Sequence, residues 1–273
     1  MADERWDFIV VGGGSAGSVV AGRLAGGGAR VLLLEAGGTD RRPDVVIPAG
    51  VVSVYRSCNY RYAPEPDASR AGAVEPWPAG RILGGGGSIN ATVFVRGNQA
   101  DFDSWARQGA AGWDYESLLP YFKRMETWKN GADEYRGGDG PIHVGVHSMD
   151  HPANAAFLHA AAEAGHPLTE DYNGKSQWGA GLVQVNQRRA TRSQASREYL
   201  RGRHGAPRPS IRTRCIVERV LFSGDRATGV EYRHRGRLHR AEALREVVNA
   251  LEAALAISDR PSLVAIQSSN RDV

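Results

Sequence analysis

The chain has 273 residues, 41% hydrophobic and 23% charged, which excludes a disordered chain and allows one large domain or two small ones. Two cysteines, Cys58 and Cys215, exclude a disulfide scaffold and a cysteine-rich zinc module. No apolar run approaches the roughly 20 residues of a membrane-spanning helix, and the polar N-terminus does not resemble a signal peptide, so the expectation is a cytoplasmic protein without a transmembrane segment.

Asp7-Phe8-Ile9-Val10-Val11 reads as a buried parallel strand. It ends at Gly12-Gly13-Gly14-Ser15-Ala16-Gly17, and a helical pattern follows with Val19, Val20, Leu24 and small residues on one face. Arg30 to Glu35 reads as a second buried strand ending in an acid, after which Ala36-Gly37-Gly38 turns the chain. Strand, glycine-rich turn, helix, strand and acid form the context in which GxGxxG binds a dinucleotide. Gly12 permits the tight turn, Gly14 lets a pyrophosphate approach the backbone, and Gly17 lets the helix pack close to the sheet. The helix start presents N–H groups and partial positive charge to phosphates. Glu35 would accept from both hydroxyls of an adenosine ribose and repel a 2′-phosphate, which argues against NADP. The unit points to an ADP moiety and leaves NAD and FAD both open.

A second glycine-rich segment follows at Gly80-Arg81-Ile82-Leu83-Gly84-Gly85-Gly86-Gly87-Ser88-Ile89-Asn90. Consecutive glycines bring main chain close to something flat or bulky, or else form a flexible linker. Thr92 to Arg96, a strand-like apolar run, argues against the linker.

His143, His147 and His151 recur every four residues, a spacing that would align metal ligands on a helix. Pro141, Gly145 and Pro152 argue against a helix there, so no metal site is assigned. Residues 188–245 carry a net charge of +11. They lack interleaved aromatics and alternate polar with apolar residues from Cys215 to Phe222. The expectation is strands with a solvated arginine face and no nucleic-acid partner.

The sequence resembles the glucose–methanol–choline oxidoreductases, a family of FAD enzymes. The resemblance is carried by the segment from Gly80 to Asp103, then Trp113-Asp114-Tyr115, Leu118 to Arg124, Asp139-Gly140-Pro141, Asp171 to Gly174, Glu198-Tyr199-Leu200 and Gly229 to Tyr232. It implies an α/β, Rossmann-like FAD-binding domain with part of an α+β substrate domain. On that pattern residues 1–145 are the first part of the FAD-binding domain, with an irregular, proline-rich lid at 37–79. Residues 146–204 are a partial substrate domain, 205–248 the second FAD-binding part, and 249–273 a divergent tail.

The resemblance also implies residue roles. Gly12, Gly14, Ser15, Ala16 and Gly17 would hold the FAD pyrophosphate, and Glu35 with Ala36 the ribose. Arg81, Ile82, Leu83, Gly84 and Gly85 would lie along the flavin side, while Asn90, Ala91, Thr92 and Val93 would line the isoalloxazine ring. Val217, in an edge strand, would present main-chain groups to the adenine.

Gly86 and Gly87 stand where the family usually has hydroxyl residues, which removes side-chain donors and loosens the loop. Arg192-Ser193-Gln194 also matches the family imperfectly. The implied chemistry is oxidation of a CH–OH group on an alcohol or choline-like small molecule, with flavin as hydride acceptor. After Val248 the family's Ser-Gly-x-Gly signature is missing, and no histidine of this chain lies in the family's catalytic motif. The expectation is therefore a chain truncated before the catalytic histidine, with no catalytic residue assigned and a complementary C-terminal chain as a potential partner. The alternatives are a non-catalytic FAD- or ADP-binding module, an inactive remnant, or an NAD-dependent dehydrogenase.

Overall fold

The computed structural model describes residues 4–62, 64–75, 77–147, 151–201 and 205–250. In chain order the first elements are β1 (Glu4–Val11), α1 (Ser15–Gly26), β2 (Val31–Leu34), α2 (Pro43–Val46), α3 (Val51–Ser57), α4 (Gly86–Ile89), α5 (Gln99–Arg107), α6 (Tyr115–Met125), β3 (Glu126–Trp128) and β4 (Ile142–Val146). They continue with α7 (Pro152–Glu163), β5 (Gln184–Val185), β6 (Gln187–Arg188), β7 (Thr191–Arg192), α8 (Ala195–Tyr199), β8 (Ser210–Arg212), β9 (Cys215–Ser223), β10 (Arg226–His234) and β11 (Arg237–Asn249). Two compact units divide the chain, one of residues 1–90 with 194–273, the other of residues 91–193. The boundaries implied by the resemblance fall elsewhere, at 145/146 and 204/205. The expected tail lies almost wholly outside the described residues, as do Pro76 and His204.

The first unit is built on a six-stranded sheet in the order β8-β2-β1-β11-β10-β9. Strands β8, β2, β1 and β11 pair in parallel, and β11, β10 and β9 form an antiparallel meander. Period-two alternation sends β1 and β2 side chains into two cores. Phe8, Val10, Val31 and Leu33 pack with Ala21 and Ala25 of α1. Ile9, Val11, Leu32 and Leu34 pack with Cys215, Val230 and Tyr232 of the meander. Burial on both faces is why these strands read as continuous apolar runs.

Helix α1 buries the small residues of the expected face most deeply, with Val20 and Leu24 packed against the same core. Its buried residues are Gly17, Ser18, Ala21 and Ala25, while Val19, Val20 and Leu24 are half-buried at the flanks. Close approach explains this: a Cβ on Gly17 would lie 2.0 Å from the Gly12 carbonyl oxygen, so only small side chains fit between α1 and the sheet. Two of the meander arginines pair across strands, Arg219 with Glu231 (2.7 Å) and Arg233 with Glu218 (2.7 Å).

Segment 37–79 is less irregular than its prolines suggested. Pro43 and Pro48 open short helices, the position where a missing N–H costs nothing. Val45, Val54 and Cys58 share a small core with Ile82 and Ile89.

The second unit holds a three-stranded sheet, β3-β4-β5, and the β6-β7 pair. Its centre is a buried ionic network. Glu126 Oε1 accepts from Arg96 Nη2 (2.7 Å) and Arg136 Nε (2.8 Å), and Arg136 Nη1 reaches Asp171 (2.6 Å). Asn173 Oδ1 accepts from the Arg96 N–H (2.7 Å), so two segments that carried the resemblance meet here. The run Thr92–Arg96 is not a strand. Thr92 has φ of +62°, and the only bridge in the run joins Val93 to Val185. His143 lies in β4, as the proline and glycine implied, but Pro152 starts α7 rather than excluding it, with His151 Nδ1 accepting from the Ala153 N–H (3.2 Å).

Candidate functional site

Three segments of the first unit converge at the C-terminal ends of β1 and β2, where open α/β sheets bind ligands. The first is the turn Gly12–Gly17. Gly12 has φ of +94°, a conformation that favours glycine, and it redirects the chain from β1 into α1. The first bond within α1 runs from the Ser18 N–H to the Gly14 oxygen (3.0 Å). The N–H groups of Ser15, Ala16 and Gly17 therefore have no acceptor inside the helix, and its first turn contains no acid. Ser15 and Ala16 are exposed, and Gly12 and Gly14 half-buried.

The second segment is Glu35–Gly38. Glu35 is buried, and its carboxylate accepts from the Gly13 N–H (2.8 Å) and the Gly37 N–H (2.6 Å). Half-buried Ala36 lies between them. The third is Arg81–Ser88. The Gly84 N–H donates to the Gly13 oxygen (2.7 Å), and the Leu83 N–H to the Gly38 oxygen (2.9 Å). A Cβ on Gly37 would lie 2.1 Å from the Arg81 oxygen, so the second and third segments touch backbone to backbone. A Cβ on Gly87 would stand 3.2 Å from Ser15 Oγ. The two glycine-rich loops, about seventy residues apart in sequence, are thus one structure.

Gly86 and Gly87 do not leave this loop untethered. They open α4, whose Ser88 is fully buried and donates to the Leu83 oxygen (2.6 Å). Gln194 Nε2 donates to Ser88 Oγ (2.9 Å) and Ser196 Oγ (3.0 Å), and Ser196 Oγ donates to Asp40 (2.8 Å). Asp40, Gln194 and Ser196 were not expected at the site. The mismatch at Arg192-Ser193-Gln194 was the one sequence signal near them.

The remaining expected residues are distributed as follows. Ile82 and Leu83 are buried, Gly84 and Gly85 are buried with positive φ, and Arg81 is exposed with its guanidinium 5.6 Å from the Tyr60 ring centre. Asn90 is exposed at the end of α4 in the first unit. Ala91 and Val93 are exposed and Thr92 buried in the second, where Thr92 Oγ1 accepts from Gln187 (2.7 Å). Val217 lies in the sheet-edge strand β9, opposite Tyr232. Among the described residues, no group of three or more His, Cys, Asp or Glu could hold a metal ion, and no helix is long and apolar enough to cross a membrane.

The family model described as GMC oxidoreductase matches residues 6–257. The chain belongs to the GMC oxidoreductase family. Among curated GMC relatives, mitochondrial choline dehydrogenase of Mus musculus is 42% identical over 90% of this chain and 43% of its own length. The oxygen-dependent choline dehydrogenase of Vibrio vulnificus is 40% identical over 90% of this chain and 45% of its own. Among solved structures, pyridoxine 4-oxidase from Mesorbium loti superposes with a TM-score of 0.82 at 31% identity, covering 89% of this chain and 49% of that one. An FAD-dependent oxidoreductase from Chaetomium thermophilum gives 0.81 at 28% identity, covering 90% and 45%. The GMC neighbours agree with the parallel Rossmann-like α/β architecture of the first unit. The chain spans less than half the length of these relatives.

Proposed function

We propose that the first unit binds FAD and that the chain serves a flavin-dependent oxidation of a CH–OH group on a small alcohol of the choline type. The observation that carries the reading is the Gly84–Gly13 hydrogen bond (2.7 Å), which puts a second glycine-rich loop at the mouth of the dinucleotide-binding turn. Membership of the GMC family and likeness to an FAD-dependent oxidoreductase support it.

The residues present fit the cofactor on two counts. Backbone N–H groups at the start of α1, whose first turn carries no acidic residue, suit a pyrophosphate. Gln194 Oε1 is a buried acceptor with no donor among the described residues, beside the second loop. When bound, the flavin would supply the hydride-accepting chemistry.

In this reading Gly12 to Gly17 cradle the pyrophosphate, and Glu35 with Ala36 flank the adenosine ribose. Arg81 to Gly85 line the flavin side, Asn90 to Val93 belong with the isoalloxazine ring, and Val217 offers main-chain groups to adenine. The Glu35 carboxylate, held by Gly13 and Gly37, keeps one geometry before ligand arrives, which lowers the ordering cost of binding.

The test is a titration of the purified chain with FAD, followed by anaerobic addition of choline and simple alcohols. Bound flavin bleached by one of them supports the whole reading. Bound flavin that no alcohol bleaches leaves a binding module, and binding of neither FAD nor ADP contradicts the reading.

A further inference from the structure

Gln194 is 2% exposed, and its side chain runs along the second glycine loop. A Cβ on Gly87 would stand 3.8 Å from Gln194 Cβ, and one on Gly84 3.1 Å from Nε2. Its hydrogen bonds fix the orientation of the amide. Ser88 Oγ spends its single hydrogen on the Leu83 oxygen, and Ser196 Oγ spends its own on Asp40 Oδ2. Both hydroxyl oxygens therefore face Gln194 as acceptors, and they take the two hydrogens of Nε2. Turning the amide over would set its oxygen against two acceptors. Oε1 is consequently a fixed acceptor, buried, with no donor among the described residues.

A buried acceptor held in this way selects for a ligand hydrogen-bond donor. A pyrophosphate at neutral pH has none. The donors flanking it in FAD are the adenosine ribose hydroxyls on one side and the ribityl hydroxyls on the other. The ribose side is where Glu35 lies. Gln194 lies instead against Gly84, Gly87 and Ser88, and the glycines at 86 and 87 leave its amide as a polar side chain lining that loop.

We propose that Gln194 is a cofactor-binding residue whose Oε1 accepts a hydrogen bond from a ribityl hydroxyl of FAD. The assignment rests on the FAD reading above. It gives the chain a ligand contact built from the segment before α8 in place of hydroxyl side chains on the glycine loop.

The test compares FAD with ADP, which lacks the ribityl chain. Gln194→Met keeps the side-chain length and removes the acceptor together with the Nε2 donors to Ser88 and Ser196. It should weaken FAD binding about tenfold by equilibrium titration while leaving ADP affinity unchanged. Equal weakening of both ligands would make Gln194 a tether of the loop only, and unchanged FAD binding would remove it from the site; either result overturns the assignment. A second arm uses the wild-type chain with FAD analogues lacking one ribityl hydroxyl each. One analogue should bind about tenfold more weakly than the others, and equal affinity for all of them overturns the proposal. Wild-type chain that binds ADP but not FAD, or neither, refutes the underlying reading before Gln194 is at issue.

Discussion

The Gly13 N–H donates to Glu35 Oε2 across 2.8 Å, so the glycine turn after β1 and the acid after β2 are locked together. The same carboxylate accepts from the Gly37 N–H through its other oxygen. One side chain therefore shapes both walls of the candidate site. Glu35→Ala would strand two buried N–H groups, each costing about 1–3 kcal/mol. The expected outcome is a lower melting temperature without ligand together with loss of ADP binding, measured by thermal denaturation and calorimetry. Glu35→Gln keeps an acceptor and should fall between alanine and wild type in both measurements.

Gly17 tests the close packing of α1. Gly17→Ala puts a methyl 2.0 Å from the Gly12 oxygen and 3.1 Å from Ala250 Cβ. It should destabilise the chain by about 1–3 kcal/mol, as overpacking of a tight contact does. Gly26→Ala, at the far end of the same helix with nothing within 4 Å of the new Cβ, should be neutral or stabilising by up to about 1 kcal/mol. Denaturant titration of the two variants side by side checks the contrast.

Removing one partner from the network of the second unit should be costly. Arg136 and Glu126 are fully buried, and Arg136 also lies 4.0 Å over the Trp128 ring. Arg136→Ala leaves the buried Glu126 carboxylate with Arg96 as its one remaining cationic partner among the described residues, an expected loss of about 3–5 kcal/mol. Arg70→Ala removes an exposed pair with Glu75 and should change stability by less than about 1 kcal/mol. Denaturant unfolding of both variants separates the two cases.

Cys215 gives a pH-dependent prediction. Burial pushes its thiol up to about 11 from 9.0, with Glu35 adding to the shift and Arg212 opposing it. The native pKa lies above the unfolded one, so the neutral thiol contributes stability fully below pH 9, and that contribution fades as pH rises through about 11. In a Cys58→Ala background, thiolate absorbance should appear near pH 11 in the folded chain and near 9 in denaturant. A folded chain that ionises near 9 would place Cys215 at the surface.

The βαβ unit was legible in the sequence because its strands are buried on both faces and its glycines occupy positions that backbone geometry dictates. On α1 the pattern of Val19, Val20, Leu24 and small residues marks the inward side, but it does not show that its small members, Gly17, Ser18, Ala21 and Ala25, are the buried ones while Val20 and Leu24 pack at the margin. Thr92–Arg96 reads as a strand by composition, but Thr92 has positive φ and the run makes only the single Val93–Val185 bridge. The bond between Gly84 and Gly13 lies on no periodicity, and the resemblance implies only that the two loops serve one cofactor, not that they join. The chain Ser88–Gln194–Ser196–Asp40 joins residues far apart in sequence with no local pattern, so folding alone reveals it.

The central claim is that two glycine-rich loops, joined at Gly13 and Gly84, grip one dinucleotide. It is tested most directly by equilibrium binding of FAD to the folded chain, with ADP as competitor and Gly14→Val as the blocked control. The account predicts saturable FAD binding at one site, displacement by ADP, and loss of both in the valine variant with the fold intact by circular dichroism. FAD bound equally well by Gly14→Val, or a folded wild-type chain that binds neither ligand, would contradict it.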